Sequence, residues 1–337
     1  MEFSRVDPTS DDQFDAWFGV LHRSELERDQ GRGGSWLPSE WRARTLDESV
    51  PAYHQLFSYG DDLLHPVAVA ALEVTRDDNL HWIRGELFVD PLERRKGYGS
   101  AALEHLEATA RNLGRPALLF WVMEGGRDDV REPNRGFAPR QGYVVVEENL
   151  RRELNWPRPD GQLDRLSSEW SPRAIAYEIL SWRGATPDEL LSERAHLIAV
   201  MPLEVPSPGF DYEEEKWDDE RVRIHEQRTY DMGRDLLVAV ARERASGTLV
   251  GFSELTVSRE QPETAYQWDT LVLGAHRGHR LGGLMKIATM RLLAEGNYAT
   301  RRISTSNSAL NTPMIAVNEQ LGAVVSGGIV TWRKELS

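Results

Sequence analysis

The sequence of 337 residues lacks cysteine, long apolar runs and an excess of positive charge. Without cysteine there are no disulfides, thiolate nucleophiles or cysteine-ligated zinc sites. Nine histidines are present, but none forms an HExxH pattern, so we expect no metal. No run of about 18 apolar residues occurs, and the opening MEFSRVDPTSDDQF has no apolar core of a secretory signal. We therefore expect a cytoplasmic protein that does not enter a membrane.

The charge balance is acidic, with 54 Asp and Glu residues against 40 Lys and Arg residues and a formal net charge of −14. Nucleic acid is not an expected partner, because phosphate contacts need a basic face. An acidic balance favours a cationic or neutral ligand, although net charge mainly governs solubility. Nearly all positive charge is carried by arginine, since the lysines are only Lys96, Lys216, Lys286 and Lys334.

The same order of predicted elements occurs twice along the chain. In each half, strands lead into an Arg- and Gly-rich turn, an amphipathic helix, a further strand, a short helix and a last strand. Residues 158–173 are rich in Pro, Asp and Ser, and we interpret them as a linker. The predicted domains are residues 1–157 and 174–337. The matching landmarks are Glu73 with Glu254, Glu86 with Asp269, Arg94 with Arg277, and Gly142 with Gly322.

Each turn, RRKGYG at 94–99 and RGHRLG at 277–282, joins a strand to a helix. The first N–H groups of a helix are unpaired and lie at the positive end of its dipole, so such a turn binds anions, typically a diphosphate. Neither turn has the GxxxxGK[ST] pattern of a P-loop. The glycine spacing and the preceding antiparallel strands also fit the dinucleotide fingerprint GxGxxG poorly.

Both turns resemble the pyrophosphate loop Q/R-x-x-G-x-G/A of the GNAT superfamily of N-acyltransferases. The first turn matches this pattern fully, whereas the second has Arg280 in place of the first Gly. In layout the chain is similar to tandem members of the superfamily such as mycothiol synthase. The resemblance implies two tandem GNAT folds of the α+β class (an α/β sandwich), each with a mixed, mostly antiparallel central sheet flanked by helices.

The resemblance also implies a site for acetyl-CoA, or another acyl-CoA, at each loop. Backbone amides of the loop would hold the diphosphate, and the preceding strand would hydrogen-bond the pantetheine. In the first half the expected binding residues are Phe88, Val89, Arg94, Arg95, Lys96, Gly97, Tyr98 and Gly99. In the second half they are Leu271, Val272, Arg277, Gly278, His279, Arg280, Leu281, Gly282, Gly283, Asn307 and Asn311. Asn311 is equally well explained as a helix cap before Thr312 and Pro313.

Transfer of an acyl group to an amine requires a group that takes a proton from the amine. Strand carboxylates are the candidates, and Glu254 and Asp269 are the predicted catalytic pair because neighbouring strands would aim both into one cleft. Their counterparts in the first half are Glu73 and Glu86. Each of these carboxylates, taken singly, is also explained as a solvent-facing strand residue.

The proton donor to the leaving thiolate is not identified by the sequence. The family usually supplies it from a Tyr four residues before the Gly that ends the last helix. Ala138 and Asn318 occupy these positions here, and neither can act as an acid. Tyr266, Tyr298 or a water molecule are the remaining candidates.

These features predict an N-acetyltransferase that moves an acetyl group from acetyl-CoA to a primary amine of a small molecule. We expect the C-terminal domain to be catalytic and the N-terminal domain to bind cofactor without turnover, in a monomer or homodimer. One alternative is a non-catalytic acyl-CoA-binding regulatory protein, which the missing tyrosines favour. Another is a protein-lysine acetyltransferase, whose acidic surface would attract lysine-rich partners.

Overall fold

The computed structural model describes residues 2–28, 36–47, 52–125, 133–204, 209 and 211–336. The chain divides into two compact units, one formed by Met1–Glu147 with Ile329–Ser337 and the other by Glu148–Gly328. The division falls within two strands, Val144–Asn155 and Val324–Glu335. Within the described ranges, none of the helices combines the length and the hydropathy needed to cross a bilayer.

The first unit is built on an antiparallel meander. Strands β1 to β4 pair in chain order as antiparallel neighbours, and β5 pairs with β4 in parallel. The strands are β1 (Glu2–Arg5), β2 (Ala52–Gly60), β3 (Pro66–Thr75), β4 (Ile83–Val89), β5 (Ala117–Gly125) and the start of β6 (Val144–Asn155). The helices are α1 (Asp11–Arg28), α2 (Pro38–Leu46), α3 (Tyr98–Asn112) and α4 (Pro133–Arg140).

The central strand β3 explains why this unit has helices on both faces of its sheet. Successive side chains of a strand point to opposite faces, so a strand that is apolar throughout must be covered on both sides. Val69 packs with α1 residues such as Trp17, whereas Leu72 packs with α3 residues such as Leu106.

The second unit repeats this arrangement. Strands β7 to β10 are antiparallel neighbours, β11 is parallel to β10, and β6 pairs antiparallel with β11. The strands are β7 (Tyr177–Arg183), β8 (Arg234–Glu243), β9 (Leu249–Ser258), β10 (Thr264–Val272), β11 (Arg302–Ser308) and β12 (Val324–Glu335). The helices are α5 (Gln162–Trp170), α6 (Leu191–Glu204), α7 (Asp219–Asp231), α8 (Leu281–Glu295) and α9 (Thr312–Leu321).

Two core clusters cover the two faces of the second sheet. Leu237 of β8 packs with α8 residues such as Met285, and Val238, the next residue, packs with Leu197 of α6. Mixed sheets flanked by helices on both faces confirm the predicted α+β class and the tandem arrangement of two similar folds.

The segment that we interpreted as a linker is structured. Residues 162–170 form α5, whose last residue, Trp170, is only 2% exposed and lies in the core of the second unit. Its ring packs on Gly283 of α8, where any Cβ atom would overlap it. The prolines of the segment flank α5, but Asp164, Ser167 and Ser168 lie within the helix, and the composition did not reveal the buried indole.

The end of the chain also departs from the predicted domain boundaries, because residues 329–337 belong to the compact unit formed by the N-terminal half. Val330, Trp332 and Leu336 lie in the core cluster that contains Leu106. The Leu336 N–H donates to the carbonyl of Pro116 at 2.6 Å. The last strand of the chain therefore supplies core residues to the unit formed by the N-terminal half.

Substitution of Gly283 by Ala tests the packing of Trp170. The added methyl group would collide with the indole, and we expect a loss of about 2 kcal/mol in the free energy of unfolding. The neighbouring substitution Gly282→Ala is the control, because its Cβ would meet no atom closer than 3.7 Å. Denaturant unfolding of the two variants without ligand measures the difference, and equal midpoints would contradict this packing.

Candidate active site

A divergence of two parallel strands marks the candidate site in the second unit. β10 and β11 pair only at Thr264–Tyr266 with Arg302–Ser304. Beyond these residues β10 stays paired with β9 up to Val272, while β11 stays paired with β6 up to Ser308. The last residues of β10 thus present an edge of backbone groups toward the gap. An extended ligand can bind to such an edge as an added strand would.

The first unit has the same divergence. β4 pairs with β5 only at Ile83–Gly85, and its last residues continue to pair with β3 on the other edge. Phe88 and Val89 are half-buried at this edge, as is Val272 in the second unit, whereas the Leu271 side chain is buried in the core. These residues can meet a ligand in the gap through their backbone groups.

The turns that follow these strands share one backbone conformation despite their different sequences. Arg95 and Gly97 have φ values of 65° and 90°, and Gly278 and Arg280 have 85° and 61° at the corresponding places. Arg280 therefore adopts the left-handed conformation that Gly97 adopts, which is uncommon for a residue with a Cβ. Its side chain donates to Gln320 at 3.1 Å and lies over the Trp170 ring. The departure from the glycine pattern leaves the loop geometry intact.

Both turns are open toward a ligand. Among the residues that the structure describes, none has an atom within 4 Å of a Cβ built at Gly97 or at Gly278. Helices α3 and α8 begin at these turns, with Tyr98, Gly99, Leu281, Gly282 and Gly283 in their first residues, so their first N–H groups have no partner inside the helix. The chemistry of these turns fits a diphosphate.

The first arginine of each motif holds the turn in place. The Nε of Arg94 donates to the carbonyl of Val89 at 3.3 Å, and that of Arg277 donates to the carbonyl of Val272 at 3.0 Å. Arg277 also forms an ion pair with Glu204 at 2.6 Å. Arg94 forms the corresponding ion pair with Glu27.

The remaining polar side chains of the two motifs lie at the surface. Lys96 forms an ion pair with Glu93 at 2.8 Å. The Nδ1 of His279 lies 3.1 Å from the carbonyl oxygen of Arg173. Arg95 and Gly278 are exposed. Direct contacts to a diphosphate would therefore come chiefly from backbone N–H groups.

A β-bulge places the predicted carboxylates opposite each other. Gln267 of β10 pairs with Leu255 of β9, and Thr270 pairs with Ser253. Two residues of β10, Trp268 and Asp269, therefore face the single residue Glu254. The predicted pair is brought together at the start of the gap between β10 and β11.

Glu254 is held as an anion by an arginine and a histidine from two helices. Arg194 of α6, whose side chain is fully buried, pairs with both Glu254 and Glu226. His225 of α7 lies 3.5 Å from the other carboxylate oxygen of Glu254. Burial by itself raises the pKa of Glu254, but the charge of Arg194 and the hydrogen bond from His225 outweigh it and lower the pKa to about 2. A carboxylate this acidic is a weak proton acceptor.

Asp269 has the opposite electrostatic environment. The residue is exposed to solvent, yet enough protein surrounds its carboxyl group for desolvation to raise the pKa. The negative charge of Glu254 raises it further, and the pKa of Asp269 rises to about 7. Of the two carboxylates, Asp269 is the one that accepts a proton readily near neutral pH.

The first unit lacks this pair. Val89 pairs with Ala68 and Val272 with Gly251, so counting back from the strand ends matches Glu254 with Ala71. The sequence-derived match of Glu254 with Glu73 was therefore wrong by two residues, because two short apolar strands align almost equally well in either register. Pairing between β3 and β4 also runs without a bulge over the described residues 68–73 and 84–89. Glu86 occupies the position that corresponds to Asp269. Its neighbour in the position that corresponds to Glu254 is Ala71, which is not acidic.

Two asparagines of the second unit, Asn307 and Asn318, form a polar cluster with Lys286. Asn318 donates to the side-chain oxygen of Asn307 at 3.1 Å. Lys286 of α8, which is 2% exposed, donates to the side-chain oxygen of Asn318 at 2.7 Å. Asn311 caps α9 by accepting a hydrogen bond from the N–H of Met314 at 3.2 Å. The capping interpretation of Asn311 thus has direct support, while its contact with a ligand stays a prediction.

The two tyrosines that the sequence left as proton donors are engaged elsewhere. Tyr298 donates to Asp235 at 2.6 Å, and burial together with this bond raises its pKa to about 12. Tyr266 lies in the part of β10 that is still paired with β11, under the guanidinium of Arg234. Neither arrangement provides an acid at the gap.

Sequence reasoning missed Arg194, His225 and Lys286. Arg194 and His225 lie on helices far from Glu254 in sequence, and nothing in their local pattern distinguishes them from surface residues. Lys286 carried a signal, since it is a single charge within the apolar helix LGGLMKIATM of a lysine-poor chain.

Comparisons with known proteins find a family match within the first unit and the same fold over the whole chain. The acetyltransferase (GNAT) family matches residues 21–143, and no curated protein matches the chain. The tandem GNAT protein from the clavulanic acid biosynthesis pathway is 22% identical with a TM-score of 0.79, over 100% of this chain and 98% of that one. A GCN5-related N-acetyltransferase from Sphaerobacter thermophilus is 17% identical with a TM-score of 0.65, over 99% and 95% of the two chains.

Replacement of Glu254 by Gln tests the buried ion pair. It leaves the buried guanidinium of Arg194 with one carboxylate fewer, and we expect a loss of about 3 kcal/mol in the free energy of unfolding at pH 7. Because the folded pKa of Glu254 lies below its ordinary value, this difference should shrink as pH falls from about 4.5 toward about 2. The control is Glu178→Gln, which removes an exposed pair with Arg242. Equal denaturation midpoints for the two variants would contradict this assignment.

Proposed function

Because the chain has the tandem GNAT fold, with residues 21–143 in the acetyltransferase (GNAT) family, we propose that it transfers an acetyl group from acetyl-CoA to a primary amine of a small molecule. The observation that carries the proposal is the gap between β10 and β11, which ends at an open turn and begins at the bulge with Asp269. The second unit is the proposed catalytic one. The first unit is proposed to bind acyl-CoA without turnover.

Acetyl-CoA would bind with its diphosphate on the N–H groups at the start of α8 and its pantetheine along the free edge of β10. This places the thioester toward the bulge, away from the turn. The acceptor amine arrives as an ammonium ion, and the ionised Glu254 attracts it. Asp269 takes its proton, directly or through one water, and the neutral amine attacks the thioester carbonyl carbon.

The roles of the two carboxylates follow from their surroundings. Glu254 keeps its charge because Arg194 and His225 stabilise it. That fixed charge in turn raises the affinity of Asp269 for a proton. The first unit has neither a buried acid that corresponds to Glu254, because residue 71 is alanine, nor the bulge that brings Asp269 beside it, because its strands pair regularly. This difference supports the proposal that the second unit is catalytic and that the first unit binds acyl-CoA without turnover.

The pH dependence of the rate tests the role of Asp269. Only the ionised carboxylate accepts a proton, so kcat/KM should rise with pH and level off above the raised pKa of Asp269, about 7. Asp269→Asn should lower kcat about 100-fold, within the usual range for loss of a general base, and abolish this rise. Asp235→Asn, on β8 beside Tyr298, is a matched carboxylate control. An unchanged profile in the Asp269 variant would contradict the assignment.

Paired loop substitutions test which unit binds and which one reacts. Gly99→Glu and Gly282→Glu each place a negative charge in a turn where a Cβ meets no atom closer than 3.5 Å, so both variants should fold. Calorimetry with acetyl-CoA should give two sites in the wild type and one in each variant. A thiol-release assay over small amines and lysine peptides should lose activity only with Gly282→Glu.

The same experiment separates the alternatives. Binding without turnover on any amine would favour a regulatory acyl-CoA-binding protein, and activity on peptides alone would favour a protein-lysine acetyltransferase. Loss of turnover with Gly99→Glu but not with Gly282→Glu would assign catalysis to the first unit. Absence of acetyl-CoA binding at either turn would refute the proposal.

A further inference from the structure

A lysine buried in α8 has no counter-ion among the residues that the structure describes. Lys286 is 2% exposed, and the one hydrogen bond that its ammonium group makes within these residues goes to Asn318 at 2.7 Å. No carboxylate pairs with it there, and burial alone lowers its pKa to about 7. Burying an ammonium ion without a partner is costly, and an apolar side chain of similar length would fill the same space. Packing does not account for a lysine at this position.

Lys286 stands at one end of a hydrogen-bonded series. Asn318 of α9 links it to Asn307 of β11, and Arg152 of β6 donates to the same Asn307 oxygen at 3.4 Å. Arg152 is in turn 3.9 Å from Glu319. Arg152 and Glu319 are the charged groups at the end of the series that is far from Lys286. Arg152 therefore already has a counter-ion. A protonated Lys286 therefore retains two N–H donors with no acceptor among the described residues.

The strand register places this series level with the catalytic carboxylates. Tyr266 and Ser304 are paired in the parallel ladder, and three residues further along each strand lie Asp269 and Asn307. A thioester held in the gap between the two strands would lie between these positions. The series thus reaches the gap at the level where the C–S bond would break.

The two sets of residues approach from opposite faces of the sheet. Glu254 contacts α6 and α7, which cover one face, whereas Lys286 belongs to α8, which covers the other. An amine that adds to the carbonyl carbon from the Glu254 side leaves the α8 side of the acyl group open. A proton donor for the sulfur of the tetrahedral intermediate can approach from that side.

We propose that Lys286 donates the proton that converts the leaving CoA thiolate to a thiol, and that Asn318 holds its ammonium group in position. The proposal rests on the acyl-transfer function proposed above. The amine nitrogen bonds to the carbonyl carbon as the C–S bond breaks, and the electron pair of that bond goes to sulfur. The Lys286 proton then reaches sulfur through one water molecule. Asp269 has by then released the first proton of the ammonium ion to solvent, so it can take the second proton from the amine nitrogen, and water carries that proton from Asp269 back to Lys286.

Three substitutions on the same cluster test the proposal. Lys286→Met removes the proton and fills the space, and Lys286→Gln keeps an N–H that can donate to Asn318 but has no proton to give. Thr289→Val, one turn further along α8 and fully buried, controls for loss of a polar group from this core. Circular dichroism and unfolding midpoints identify any variant that is misfolded.

Both Lys286 variants should bind acetyl-CoA with an unchanged dissociation constant by calorimetry, and their kcat should fall on the order of 100-fold. Thr289→Val should keep wild-type kcat. With S-(p-nitrophenyl) thioacetate, whose thiolate leaves without protonation, the variants should match the wild type within about threefold, since acid catalysis then contributes little.

Four results would overturn the assignment. Full activity of Lys286→Gln would show that the lysine serves only as a hydrogen-bond donor to Asn318. Equal losses with both thioesters would show that it positions the acyl group instead of protonating sulfur. An inactive wild type would overturn the acyl-transfer function together with this role, whereas an active wild type with an equally active Lys286→Met would overturn the lysine assignment alone.

Discussion

The candidate site depends on the short length of the parallel pairing between β10 and β11. Three residues of parallel pairing hold the two strands together, and beyond them each strand keeps only its outer partner. Backbone donors and acceptors along the inner edge of β10 are then left for a ligand, since an unpaired edge in a protein otherwise needs water or cover. The turn that opens α8 follows the end of β10, so this open turn and the unpaired edge of β10 are continuous with each other.

The bulge in β10 lies at the start of the gap between β10 and β11 and determines which side chains meet there. Two residues opposite one tilt the strand and bring Asp269 beside Glu254. Arg194 and His225 then decide which carboxylate keeps its charge and which one takes up a proton. The first unit has a similar turn and a similar gap, but its strand pairing has no bulge and residue 71 is alanine. It therefore lacks the paired carboxylates.

The sequence-based expectations were correct where the signal was local. The Arg- and Gly-rich turns, the strands before them and the helices after them lie where periodicity and glycine spacing predicted. Arg280 looked like a departure from the motif, yet it adopts the same left-handed conformation as Gly97. The expectations failed where packing decides, as with α5, whose polar sequence hid Trp170, and with the last strand, whose core residues belong to the unit formed by the N-terminal half.

The sequence by itself determined that this chain repeats one fold, that each copy has an Arg- and Gly-rich turn between a strand and a helix, and that Glu254 and Asp269 lie on neighbouring strands. These properties follow from patterns within a few tens of residues. Only the tertiary structure decided that Ala71 and not Glu73 corresponds to Glu254, that Arg194 pairs with Glu254 and keeps it ionised, and that Lys286 is buried against Asn318. The physical reason is that register, burial and charge pairing depend on residues brought together from distant parts of the chain, and these contacts set the protonation state of each group.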